Sequence, residues 1–113
     1  MSGKRITPAE VLAAYRATGL RPVRRDFGDD KRNCGCPVHA LWAAAGHPLP
    51  SGGVPYAGGW ADDQYGSPYT NGFICGVDSD MRTIEGERAE QGRTDGAAVW
   101  SAVVVAGLTE ETK

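Results

Sequence analysis

Three side chains able to hold a metal or perform thiol chemistry fall within one hexapeptide, Cys34-Gly35-Cys36-Pro37-Val38-His39. Zinc prefers thiolate sulfur and imidazole nitrogen in a tetrahedron. Pro37 suits the first position of a helix, with Cys36 as its cap. Cys36 and His39 are then three residues apart on a helix start and can face one point. Gly35 gives the backbone freedom to bring Cys34 to the same side. A helix N-terminus also favours thiolate over thiol. A closed structural zinc site needs a fourth donor, and Cys75 is the candidate. On a helical wheel it lies away from Phe73 and Val77, on the side near Asp78. Asp78, Asp80 and His47 are substitutes. The expected ligand set is Cys34, Cys36, His39 and Cys75, with zinc as the cofactor.

The same atoms allow other readings. Cys34 and Cys36 could close a small strained disulfide, easily reduced and exchanged, with His39 as base. No thioredoxin-like strand–helix–strand pattern surrounds the pair. A cysteine hydrolase needs a histidine in a downstream strand, and neither His39 nor His47 sits in one, so the sequence leans away from an enzyme. Free cysteines also serve as small buried filler. On that reading the chain is an oligomeric interaction protein with no chemical site.

Composition bounds the rest. At 113 residues the chain is one domain by size, 1–113. Leu, Ile, Val and Phe total only 19 residues, while Ala contributes 15. Low net charge, −2, argues against disorder despite that thin apolar supply. A lean core is often supplemented by a metal or by oligomerisation, so a homo-oligomer or a protein partner is expected. No apolar run is long enough to span a membrane. MSGKRITPAE lacks a hydrophobic signal region, and a cytoplasmic location is the expectation. Residues 1–33 carry net charge +4 and residues 34–113 net −6. Arg16, Arg21, Arg24, Arg25, Lys31 and Arg32 could meet an anionic partner. An overall acidic chain is a poor nucleic-acid binder, and the simpler expectation is that this basic part faces the acidic remainder of its own fold.

These donors must be positioned by a mainly α fold of about four helices with at most one or two short strands. Thr7, Pro8 and Glu10 spell a capping box and first turn, and Val11, Leu12 and Tyr15 share a face up to Gly19. Residues 20–27 read as extended, a short edge strand, since Pro22 would weaken a central one, and Gly28-Asp29-Asp30 as a turn. The second helix starts at the hexapeptide, shows Val38, Leu41, Trp42 and Ala45 on one stripe, and stops at Gly46. Residues 46–66 read as a long Gly/Pro/aromatic loop, with Tyr56, Trp60 and Tyr65 capping a core short of large side chains or gripping a ligand. Ser67-Pro68 opens a third helix running toward Asp78. A fourth spans about 87–106, with a strand over Val103-Val104-Val105 as the alternative. Gly72 with Gly76, and Gly92 with Gly96, stand at i, i+4 spacing. Glycine inside a helix costs roughly 1 kcal/mol against Ala. The four predict that these helices cross at their glycines.

The segments NGFICGVDSD (71–80) and EQGRTDGAAVW (90–100) resemble a pattern in small uncharacterised bacterial proteins. There, one helix reads roughly G-F-x-x-G-F-D-G and a later one G-x-x-D-G-x-A-x-W. CGCPVHALWAAAG is similar to a Cys-rich helix start in the same group. The resemblance covers about half the chain, Val77 and Ser79 depart from it, and it implies no activity.

Overall fold

The first helix forms where local chemistry asks for it. In α1, Pro8–Thr18, the Thr7 hydroxyl accepts from the Glu10 N–H while the Glu10 carboxylate accepts from the Thr7 N–H. Gly19 ends the helix at φ 73°, a left-handed conformation suited to glycine. The computed structural model describes residues 4–24, 28–29, 34–47 and 56–109.

After α1 come three two-residue strands, β1 (Arg21–Pro22), β2 (Gly28–Asp29) and β3 (Cys34–Gly35). Their order is β1-β3-β2, with β1 parallel and β2 antiparallel to β3. Pro22 sits in an edge strand, where a missing N–H is tolerated. Gly28 and Asp29, expected as a turn, instead pair with Gly35 and Cys34. The reason is register: the turn residues themselves complete the ladder on the free side of β3.

Helix α2 (Pro37–Ala44) starts as expected with Cys36 as cap and Pro37 in its first turn. The expected loop over 46–66 is corrected, because Tyr56–Tyr65 is helical, α3. Tandem glycines and proline hid this helix. Tertiary burial of Ala61 and Tyr65 overrides its poor propensity, and Tyr65 does cap the core. Residues 48–55 lie outside the described residues. Helix α4 (Ser67–Asp78) and helix α5 (Glu87–Val105) follow. The mainly α class holds, with five helices among the described residues, and the three valines at 103–105 are helical. No helix among them is long and apolar enough to cross a membrane.

The four helix-interior glycines lie at the α4–α5 contact. A Cβ on Gly72 would collide with the Ala89 carbonyl, and one on Gly76 with that of Arg93. A Cβ on Gly92 or Gly96 would collide with the carbonyls of Tyr69 and Phe73. Contact positions advance together along both helices, so α4 and α5 run parallel. The connecting segment 79–86 must therefore travel back along the pair. Ser79 adopts φ 56° to leave α4, and Arg93 donates to the carbonyls of Asp80 and Arg82 in the return segment. Val11, Tyr69, Phe73, Val99 and Val103 form the centre of the core, each fully buried.

Segment 4–7 is clasped onto this pair. The fully buried Tyr69 accepts from the Ile6 N–H at 2.7 Å and donates to Asp95 at 2.5 Å. Arg5 forks onto both Asp95 oxygens at 2.9 and 2.8 Å. Burial acts to raise the Asp95 carboxyl, but hydrogen bonds from Arg5 and Tyr69 outweigh it and hold it below the usual carboxylate range. Stability from this group is complete above the unfolded value of about 4. It is lost as pH falls through the lower folded value. Tyr69→Phe is expected to cost about 2 kcal/mol at neutral pH, by leaving the Ile6 N–H and Asp95 short of a partner. In acid, where Asp95 takes up a proton, the gap between variant and parent should narrow; urea unfolding across pH measures it.

Candidate functional site

β3 delivers the hexapeptide to α2. Its central strand is paired on both sides, and the Tyr15 hydroxyl donates to the Gly35 carbonyl at 2.8 Å. Gly35 lies against His39, since an added Cβ there would stand 3.1 Å from the His39 Cβ. Cys36 caps α2 with extended backbone but makes no capping hydrogen bond through sulfur. Its Sγ stands 3.2 Å from His39 Nδ1 instead. His39 is almost fully buried, 1% exposed.

The pair opens on a cleft of about 630 Å³ between the first turn of α2, helix α4 and the return segment. Cys75 lines it from α4, together with Asp78, and Asp80 and Arg82 line it from the return segment. Apolar walls come from Val38, Phe73, Ile74, Val77 and Ile84. Of the four expected ligands, Cys36, His39 and Cys75 border this one cleft. Cys34 does not, and it is fully buried in β3. Among the described residues no three His, Cys, Asp or Glu side chains are already gathered tightly enough to hold an ion. Of the substitutes, Asp78 and Asp80 border the cleft. His47 is elsewhere, stacked on Trp42 at 4.2 Å, with Trp60 edge-on at 5.9 Å from Trp42.

Burial pushes the Cys36 thiol up to about 11, against N–H groups of His39 and Val38 that favour thiolate, and Asp78 raises it further. At neutral pH Cys36 is therefore a thiol and not a thiolate. That is a poor resting state for disulfide exchange, which needs thiolate. Cys34, fully enclosed, offers no face to a partner disulfide. Asp80 is held below the usual carboxylate range by hydrogen bonds from the Arg82 side chain and backbone, with an ion pair at 2.8 Å.

The cleft walls at Asn71, Ile74 and Ile84 are absent from the sequence reading. Ile84 alone carried a signal, an isolated large apolar residue in the otherwise polar stretch MRTIEGE. Comparison with known families, with curated proteins and with solved structures gives no match.

Proposed function

We propose that the chain binds a soft divalent metal ion, zinc foremost, through Cys36, His39 and Cys75, and that the ion ties α2 to α4. The observation that carries this reading is the Cys36–His39 contact at the edge of a cleft whose α4 wall bears Cys75. Zn–S near 2.3 Å and Zn–N near 2.0 Å place two donors of one tetrahedral ion roughly 3.5 Å apart. The observed 3.2 Å needs little adjustment. Cys75 must turn toward the pair on binding, and Asp78 lines the same cleft. Metal binding displaces thiol protons, so a raised thiol is no obstacle, whereas it does hinder a redox role. Cross-linking by an ion also suits a core this short of large side chains.

Elemental analysis of freshly purified protein should find about one equivalent of zinc per chain, and a chelator should lower the melting temperature. Less than about a tenth of an equivalent, with stability indifferent to chelator, overturns the reading. A second reading, an interaction protein without a metal, draws on Met81 and Val105. These large apolar side chains are 86% and 77% exposed.

A further inference from the structure

We propose that the cleft takes up an apolar α,β-unsaturated ketone and joins it covalently to Cys36, with His39 carrying the proton. The inference goes beyond the metal reading and does not rest on it. An ion and an adduct are alternative occupants of one sulfur.

The chemistry starts from a nucleophile and a base already in contact. A thiol adds slowly to a conjugated carbon unless a base takes its proton as the sulfur attacks. His39 Nδ1 is placed for this, 3.2 Å from Cys36 Sγ. It accepts the proton when the imidazole carries its own on Nε2. The sulfur pair then forms the bond to the β carbon, and the π pair moves through the carbonyl. His39 returns the proton to the α carbon. The product is a neutral thioether, nothing leaves, and no oxidant or reductant is consumed.

The cleft supplies the space for the rest of the molecule. At about 630 Å³ it lies within the ordinary range for organic ligands. Val38, Phe73 and Val77 form its floor and are almost fully buried. Ile74 and Ile84 line it and are only partly buried. An apolar body gains by covering these two side chains.

Charge selects addition over acyl transfer. Asp78 and Asp80 border the cleft, and Arg82, the only lysine or arginine among the described lining residues, is paired with Asp80. Acyl transfer would expel a thiolate or alkoxide beside these carboxylates, where like charges are costly. Addition to a conjugated ketone expels no group.

The test treats the full chain, with chelator present, with 3-penten-2-one and 3-nonen-2-one in turn. The two share the reacting carbon and differ by four methylenes. Intact mass and peptide mapping follow the adduct, and each rate is divided by the same compound's rate with glutathione. The longer ketone is expected to add at Cys36 about tenfold or more faster, with a rate that saturates as its concentration rises. In Ile84→Gln, which alters the wall and neither reacting group, the advantage should fall to about threefold or less. Cys36→Ser should form no adduct. Equal corrected rates, an adduct placed on Cys34 or Cys75 in the parent chain, or no adduct at all overturns the inference. Metal content decides the zinc reading separately, so either can fail while the other stands.

Discussion

Gly96→Ala is expected to destabilise the protein by at least about 3 kcal/mol, although alanine is the better helix former by about 1 kcal/mol. The added methyl would meet the Phe73 carbonyl and stand 2.9 Å from the Val77 nitrogen, both main-chain atoms that cannot rotate away. Gly92→Ala should behave alike, because it would stand 2.8 Å from the Phe73 nitrogen. Gly59→Ala is the control. It lies in α3 with nothing within 4 Å of the new methyl and should be neutral or gain up to about 1 kcal/mol. Chemical denaturation of the three variants settles the matter. Equal effects at Gly59 and Gly96 would show that the α4–α5 contact is looser than described.

Cys36→Ser should lower zinc or cobalt affinity by at least about 100-fold, since metal-ligand bonds to soft thiolate have no equivalent in a hydroxyl. Cys75→Ser should lose affinity too. Cys34→Ala is the discriminating partner, because Cys34 lies outside the cleft lining. Its affinity should stay within about threefold of the parent if the ion takes three protein donors, and fall with the others if it takes four. Competition with a coloured chelator reads all three. The pH dependence has a fixed sign. Cys36 starts as a thiol raised to about 11 and must lose its proton to bind. From this ligand alone, affinity should rise about tenfold per unit between roughly pH 6 and 9.

Much of the fold was legible because local rules and tertiary needs agreed. The capping box at Thr7, the left-handed stop at Gly19 and the proline start at Pro37 each obey a rule acting over four residues. The glycine pairs were legible for a different reason: four costly residues at helical spacing demand a compensating contact. Helix α3 was not legible, since YAGGWADDQY reads locally as loop and becomes helical only by burying Ala61 and Tyr65. For the candidate site, spacing along one helix sufficed to bring Cys36 to His39. The position of Cys75 depended on how α4 packs, and that of Cys34 on which way β3 presents it. Neither is written in local pattern. The Tyr69–Asp95–Arg5 network joins residues 26 and 90 positions apart and leaves no periodic trace.

Parallel packing of α4 and α5 also points two helix dipoles the same way and sets their amino ends near each other, a repulsive arrangement. The carboxyl end of α4 places partial negative charge beside the middle of α5, which runs on to Val105. Arg24 lies there, donating to the Val77 carbonyl at 3.2 Å, with its guanidinium 5.3 Å from the centre of the Trp100 ring on α5. At the opposite end, where the amino termini gather, Arg88 donates hydrogen bonds to the carbonyls of Lys4 and Tyr65. Asp95 supplies the carboxylate for Arg5. One cation of the basic first third, Arg24, thus has an internal use at the negative pole of α4.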